Sequence, residues 1–161
     1  MIIRTATLRD LDAIACVEAA CFPQTEAATK AEFEERLKAY ADHFWLMLDG
    51  DHLIAFVDGM VTDEKDLRDE MYHRADLHRE EGAWQMVFGV NTLPEYRRQG
   101  HAATLLRALI GQAREQHRKG LVLTCKDPLV HYYAALGFQD EGISALSTHG
   151  GVPWHQMRLV F

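Results

Sequence analysis

The sequence predicts an α/β fold in which helices pack against a β-sheet of mixed sense. Short apolar, β-prone runs alternate with helical patterns along the whole chain. The early strands form a hairpin pattern, which is antiparallel. Further along, a strand, an amphipathic helix and a second buried strand follow one another, which is the order of a parallel pair with a crossover helix.

Length and composition are those of one globular domain, so we expect residues 1–161 to form a single domain. No apolar run approaches the length of a membrane span, and the first residues enter a strand pattern without a signal-peptide layout. We therefore expect a cytoplasmic protein without a membrane partner. The net charge of -7 argues against nucleic acid as the main partner and suits a cationic ligand. The three cysteines and nine histidines show no ligand spacing, so we expect no metal.

The first elements are a strand and two helices. Residues 2–6 form the strand pattern, and Thr7 is placed to cap a helix that runs to about Ala20. Pro23 stands just beyond, where the helix can no longer continue. A capping-box pattern that begins at Thr29 opens the second helix.

A hairpin and a charged segment come next. Residues 44–48 and 53–61 are the two predicted strands, and Gly50 lies in the turn between them. Residues 62–82 are dense in charge and poor in apolar side chains. We expect this segment to be a surface excursion with one short helix and no direct part in chemistry.

The second half of the chain carries the strand–helix–strand order. Residues 83–91 predict a central strand and residues 100–117 an amphipathic helix, with Gly120 as its stop. Residues 121–125 are almost wholly apolar, which indicates a buried strand parallel to its partner.

The last elements are a short helix and two strands. Pro128 begins the helix and Gly137 closes it, with Leu129, Tyr133 and Leu136 predicted on one buried stripe. Residues 138–146 and 154–160 are the predicted strands, separated by a loop that contains two glycines.

The turn before the amphipathic helix is suited to bind phosphate. The first N–H groups of a helix lack internal partners, and the helix dipole places partial positive charge there. Gly100 leaves room for an anion, Ala102 is small, and Arg97 and Arg98 add positive charge. The spacing fits neither a P-loop nor the three-glycine dinucleotide fingerprint, and a plain strand–turn–helix with a surface arginine pair is the alternative.

Two motifs carry a resemblance to a known family. The Arg97-x-x-Gly100-x-Ala102 pattern after a strand ending in Val90 resembles the acetyl-CoA loop of the GCN5-related N-acetyltransferase (GNAT) superfamily. Tyr133-x-x-x-Gly-Phe is similar to the second motif of that superfamily, in the usual order and separation. Within it, the sequence most resembles the arylalkylamine (serotonin) N-acetyltransferases, over residues 53–59, 96–102 and 125–133.

The resemblance implies a fold and a cofactor. The fold is a GNAT-type, mostly antiparallel mixed sheet of seven strands, whose fourth and fifth strands splay apart around the pantetheine arm of acetyl-CoA. A backbone N–H on the strand that contains Phe88 would stabilise the oxyanion. The implied cofactor contacts are Phe88, Gly89, Val90, Arg97, Arg98, Gln99, Gly100, His101, Ala102 and Tyr133.

Tyr133 is the predicted catalytic acid. The resemblance implies that its hydroxyl lies beside the cofactor sulfur, where it would protonate the leaving thiolate. A phenol with a pKa near ~10 can donate to a thiolate whose acid has a pKa near ~8.5. Tyr132 faces another direction and serves as its control. Cys125 matches a family cysteine, and we interpret it as a small buried residue, because direct transfer needs no acyl-cysteine.

The general base stays open at this stage. The animal arylalkylamine enzymes carry two histidines on the central strand, and the same positions here are Trp84 and Met86, which cannot take a proton. A water chain could serve instead. The remaining titratable candidates are Glu18, Asp127, His131, His149 and His155.

The acceptor pocket is predicted at Phe22, Pro23 and Trp154, which resemble the acceptor-lining region of the family. An aromatic amine would stack favourably on these rings. The alternative is that they are ordinary core or loop residues.

The sequence thus predicts an enzyme that moves acetyl from acetyl-CoA directly to a primary amine, either a small arylalkylamine or a polyamine. One alternative acceptor is a protein N-terminus, a lysine or an antibiotic amine. A different class is a module that binds acyl-CoA without turnover. The amine and the oligomeric state are not predicted.

Overall fold

The computed structural model describes residues 1–161. Two β-sheets that meet at Phe88 form its framework. The first sheet is antiparallel throughout and has the order β1 (Ile2–Thr5), β2 (Phe44–Asp49), β3 (His52–Asp58) and β6 (Gly89–Thr92). The second has the order β4 (Val61–Thr62), β5 (Trp84–Val87), β7 (Gly120–Cys125), β9 (His155–Val160) and β8 (Gln139–Ile143). Only β5 and β7 run parallel.

Five α-helices cover the two faces of this framework: α1 (Leu11–Cys21), α2 (Lys30–Tyr40), α3 (Glu70–His73), α4 (His101–Glu115) and α5 (Val130–Ala134). The α1 and α2 side packs around Phe33 and Phe56, which are fully buried. The α4 and α5 side packs around Leu105 and Leu109, whose burial contributes about 1.5–3 kcal/mol each. No helix has the length and apolar character needed to cross a bilayer.

The two sheets separate where the predicted central strand breaks. Val87 pairs with Leu123, the last pair between β5 and β7, and the chain then passes through Phe88 into β6, which pairs with β3. Beyond this point β6 and the end of β7 diverge and leave an opening. The mixed, mostly antiparallel sheet with splayed central strands is therefore confirmed.

The seven predicted strands become nine because two of them are interrupted. The central strand divides at Phe88, whose N–H donates to the carbonyl oxygen of Asp58. The predicted strand 53–61 divides into β3 and β4 at Gly59, where an added Cβ would lie 1.8 Å from the carbonyl oxygen of Met86. The two interruptions face each other, which is how the chain passes from one sheet to the next.

Helix boundaries follow the predicted caps with two differences. A tight helical turn, Leu8–Asp10, lies between Thr7 and α1, and Thr29 caps α2 by accepting the Glu32 N–H at 3.1 Å. The predicted stop at Gly120 is wrong: α4 ends at Glu115, and Gly120 begins β7. A Cβ there would lie 1.9 Å from the Leu159 carbonyl oxygen, so this glycine permits close strand packing.

The predicted stripe on the short helix is only partly correct. A tight turn, Asp127–Leu129, precedes α5, and Leu129 is 46% exposed. Tyr133 is buried as predicted. Both residues contribute to the lining of the cavity described below, so the stripe is correct in direction but Leu129 is not covered by the core.

The charged segment 62–82 is not a surface excursion. Its few apolar residues, Leu67 and Met71, are fully buried in the core. The carbonyl oxygen of Tyr72 accepts a hydrogen bond from buried Arg36 at 2.9 Å. Tyr72 also contributes to a wall of the cavity described below, so the segment lies next to the candidate site.

Candidate active site

A cavity of about 290 Å³ lies at the opening between the two sheets. Its walls come from the end of α1, the loop after it, the junction of β5 and β6, the end of β7, α5 and the loop before β9. The structure thereby brings together residues that sequence reasoning named separately: Phe22, Pro23, Phe88, Gly89, Val90, Tyr133 and Trp154.

The predicted phosphate loop lies at the N-terminus of α4, as expected. Gly100 precedes the helix with φ +82°, a left-handed conformation that favours glycine, and no side chain caps the helix. Arg98 is also left-handed, with φ +63°. Arg97 donates from Nε to the Thr92 carbonyl oxygen at 3.0 Å, which ties the loop to the end of β6. The uncapped N–H groups and the adjacent arginines fit a pyrophosphate.

The other predicted loop residues are on the surface. The Gln99 side chain lies 3.3 Å from Nε2 of His101 and also donates to the Glu95 carbonyl oxygen. Ala102 lies in the first turn of α4 and is half-buried. None of them lines the cavity, so their predicted role is confined to the phosphate end of the cofactor.

Gly100→Val should weaken acetyl-CoA binding by roughly tenfold or more, because the branched side chain meets the anion and resists the left-handed backbone. Isothermal calorimetry measures the affinity. Gly50→Val is the matched control, since Gly50 is also left-handed (φ +61°) and both sites have open space around an added Cβ. Equal affinity losses in the two variants would contradict the loop assignment.

Tyr133 lines the cavity with a buried ring and an available hydroxyl. Burial raises the pKa of this phenol, the nearby Cys125 and Tyr132 add to the shift, and no hydrogen bond contributes to it. The hydroxyl therefore stays protonated at neutral pH and can donate to a ligand. Tyr132 is 38% exposed and points away from the cavity, as predicted for its control.

Cys125 is a buried thiol, as predicted. Burial raises its pKa to about 11, and the charges of Asp140 and Asp127 act in the same direction. The thiolate is the nucleophilic form of cysteine. Cys125 is therefore a poor candidate for a covalent acyl carrier.

Four rings form one wall of the cavity: Tyr72, Phe88, His149 and Trp154. Ring centroids lie 4.8 Å apart for Tyr72 and Phe88, and 5.2 Å apart for the stacked pair Tyr72 and His149. Trp154 donates from Nε1 to the His149 carbonyl oxygen at 2.6 Å. Nε2 of His149 lies 2.7 Å from the carbonyl oxygen of Glu26, which fixes the loop before β9 over the cavity.

Buried charges form the floor beside Gly89. Arg36 and Asp58 make an ion pair at 2.9 Å with both side chains almost fully buried. Glu18 lies next to them, 6% exposed, and burial together with the Asp58 charge raises its pKa to about 7. Five of the seven buried side-chain atoms without a hydrogen-bond partner are clustered beside the cavity: Glu18 Oε1, Arg36 Nε, Asp58 Oδ1, Asn91 Nδ2 and Asn91 Oδ1.

Most other candidates for the general base lie away from the cavity. His131 is exposed, and His155 sits between Asp127 and Asp140 at 3.1 Å from each. None of these lines the cavity, and neither do Trp84 and Met86, which are buried on β5. Only Glu18 and His149 remain from the predicted set.

Carboxylates outnumber cationic side chains around the cavity. The acidic residues are Glu18, Glu26, Glu32 and Asp58, and the cations are Arg36 and Lys126. Lys126 pairs with Glu26 at 2.7 Å and lies 5.7 Å from the Trp154 ring. The excess of negative charge favours a cationic ligand over an acidic one.

Sequence reasoning missed Tyr72, Arg36 and Asp58 as members of this site. Asp58 did carry a signal, because it is a carboxylate at the end of an otherwise apolar strand. Arg36 and Tyr72 carried none, because no local pattern marks them and only the tertiary fold places them at the cavity.

Several solved structures share this fold. The loading GNATL domain of CurA from Lyngbya majuscula has a TM-score of 0.86 at 15% identity, with 99% of this chain and 96% of that chain covered. The GphF GNAT-like decarboxylase in complex with isobutyryl-CoA has a TM-score of 0.85 at 20% identity, with 99% of each chain covered. PaiA N-acetyltransferase from Thermoplasma acidophilum, in complex with coenzyme A, has a TM-score of 0.72 at 13% identity, covering 99% and 98%. These likenesses show the fold alone.

No curated protein matches the chain in sequence. The model of the acetyltransferase (GNAT) family matches residues 11–138, which include the opening between the sheets, the α4 loop and Tyr133. The chain therefore belongs to the acetyltransferase (GNAT) family and is an acetyltransferase that uses acetyl-CoA.

Proposed function

We propose that this single domain transfers acetyl from acetyl-CoA directly to a small primary amine, an arylalkylamine or a polyamine. The observation that carries the proposal is the cavity at the sheet opening, which combines an aromatic wall with an excess of carboxylates. Carboxylates attract an ammonium group, and aromatic faces favour both flat rings and cations. The volume of about 290 Å³ is at the lower end of small-molecule sites, about 300–1,000 Å³, which supports a small acceptor.

Different residues of the chain would bind the cofactor, stabilise the oxyanion and donate the proton. Acetyl-CoA supplies an activated acetyl thioester. The α4 loop would hold the pyrophosphate, and the opening between β6 and β7 would hold the pantetheine arm. A backbone donor for the carbonyl oxygen would come from Val90, because the Phe88 N–H already binds the Asp58 carbonyl oxygen at 2.7 Å and the Gly89 N–H binds the Asp58 carboxyl. Tyr133 would then donate its proton to the departing thiolate.

The acceptor panel is the direct experiment on this proposal. Release of CoA is measured with wild-type protein, acetyl-CoA and five acceptors: phenethylamine, spermidine, a peptide N-terminus, a lysine peptide and an aminoglycoside. We expect the highest kcat/KM with phenethylamine or spermidine. A preference for either peptide or for the aminoglycoside would overturn the acceptor class, and CoA binding without turnover on any amine would leave a binding module.

The same cavity argues against an acidic acyl group. A GNAT-like decarboxylase is among the structures of similar fold, and decarboxylation requires an acyl chain that carries a carboxylate. In this chain Arg36 is already neutralised by Asp58, and Glu18 adds a further acidic group beside them. Repulsion between these groups and an acidic acyl chain disfavours that chemistry here.

Trp154→Ala should raise the apparent KM for amines by roughly tenfold and leave the KM for acetyl-CoA within about twofold. Loss of the ring removes a stacking face worth about 0.5–1.5 kcal/mol beyond its buried area. Steady-state kinetics on both substrates, in one preparation, measures the two constants. A parallel rise in both would show that Trp154 supports the fold instead of the acceptor site.

A further inference from the structure

Glu18 has an unusual position for a carboxylate. It lies on α1 with 6% of its surface exposed, yet it lines the cavity. Its Oε2 accepts the Ala28 N–H at 2.8 Å, whereas Oε1 is buried without a hydrogen-bond partner. An added Cβ on Gly89 would lie 3.6 Å from Oε1. The same Cβ would lie 2.8 Å from Nδ2 of Asn91 and 3.2 Å from Oδ1 of Asp58, so a residue without a side chain is needed where these polar atoms and Oε1 come together at the junction of β5 and β6.

The other carboxylates of the cavity are already engaged. Asp58 pairs with Arg36 at 2.9 Å, and Glu26 pairs with Lys126 at 2.7 Å. Glu32 accepts the Thr29 N–H at 3.0 Å and also binds His73. Glu18 is the one cavity carboxylate with no cationic partner, so its free oxygen can accept a proton without breaking an ion pair.

The groups that face Glu18 come from four elements. They are Asp58 from β3, Arg36 from α2, Asn91 from β6 and Cys21 from α1 itself. Burial is the main cause that raises the pKa of Glu18 to about 7, and the Asp58 charge adds to it. The Ala28 N–H, Arg36 and Asn91 act in the opposite direction. A general base is most effective when its pKa lies near the working pH.

We propose that Glu18 is the catalytic base that deprotonates the amine; this inference rests on the proposed function. Two protons leave the nitrogen during acetylation. Glu18 accepts the first, which converts the ammonium into the free amine. The C–N bond forms as the C–S bond breaks, Tyr133 protonates the thiolate, and the second nitrogen proton restores Tyr133. Glu18 finally releases its proton to solvent.

Glu18→Gln tests the base through a pH profile. The amide keeps an oxygen for the Ala28 N–H and removes only the titration. With phenethylamine, wild-type kcat/KM should rise with pH to a plateau above about pH 7, where Glu18 is ionised. In the variant, kcat/KM at pH 7 should be lower than that of wild type by about 10²-fold or more. It should continue to rise with pH until the ammonium group has lost its proton by itself, at about pH 10.

A second acceptor separates proton removal from binding. The amine 2,2,2-trifluoroethylamine is already unprotonated at neutral pH, so it needs no base. The kcat/KM of the variant for this amine should therefore stay within roughly threefold of wild type. Asp12→Asn is the matched control, because it removes an exposed carboxylate of the same helix outside the cavity, and its profile should keep the rising limb of the wild type. If Glu18→Gln lowered kcat/KM equally for both amines, the proposal would be overturned, because an equal loss would indicate a binding role.

Melting curves give a readout that is independent of activity. A raised carboxyl pKa in the folded state means that stability is lost as pH rises from about 4.5 to about 7. Glu18→Gln should therefore melt close to wild type at pH 4.5 and about 3 °C or more above it at pH 8. A lower melting temperature at pH 8 would show a structural role and overturn the proposal. Wild-type protein that acetylates neither amine would instead overturn the proposed function itself.

Discussion

Tyr133→Phe is expected to lower kcat by at least tenfold, while acetyl-CoA affinity and the melting temperature stay at wild-type values. The substitution keeps the buried ring and removes only the hydroxyl. No hydrogen bond is among the causes that raise the pKa of this hydroxyl. General acid catalysis contributes about 10²–10⁴ in rate. Steady-state kinetics, calorimetry and thermal melts measure the three quantities.

Tyr132→Phe is the matched control for this loss. Its ring is 38% exposed and lies outside the cavity, so its hydroxyl has no thiolate within reach. We expect wild-type turnover in that variant. If Tyr133→Phe also turned over like wild type, Tyr133 would be a packing residue. The rate acceleration would then come from positioning of the two substrates and from the hydrogen bond to the oxyanion.

Arg36→Met is expected to lower the free energy of unfolding by about 3–5 kcal/mol, the usual cost of leaving one member of a buried ion pair alone. Asp58 would then be fully buried without its cation, next to Glu18. The bond from Arg36 to the Tyr72 carbonyl oxygen would be lost as well. Urea unfolding of wild type and variant measures the difference.

The control for this prediction is an exposed arginine with two acidic partners. Arg74 binds Glu70 and Asp76 with 51% of its side chain exposed, so Arg74→Met should leave the free energy of unfolding close to that of wild type. The double variant Arg36→Met with Asp58→Asn should recover part of the loss, because no uncompensated charge stays buried. A loss at Arg36 no larger than that at Arg74 would contradict the account of the cavity floor.

Local patterns predicted most of the fold and the position of the loop at the start of α4. Gly100 needs a left-handed backbone at a helix start, and that requirement is visible in sequence as a glycine before an amphipathic stripe. The apolar stripe of α4 and the capping box at Thr29 are equally local, and both are confirmed. Each depends on residues within one or two helical turns.

The cavity depends on contacts between distant parts of the chain, which no local pattern contains. Tyr72 reaches the cavity because Leu67 and Met71 anchor its charged segment in the core. In sequence, Glu18 is one charged residue on a helix that looks exposed, and its pKa is raised only because the tertiary fold buries it and brings Asp58 of β3 beside it. Breaks at Gly59 and Phe88 likewise follow from the packing of two strands against each other.

We expect acetyl to pass directly from CoA to the amine in the opening between the sheets. Initial rates of CoA release over a matrix of acetyl-CoA and amine concentrations test it most directly. The buried, protonated Cys125 thiol offers no acyl carrier, so double-reciprocal plots should give intersecting lines. Parallel lines, which indicate a covalent acyl-enzyme, or a rate independent of the amine would contradict the account.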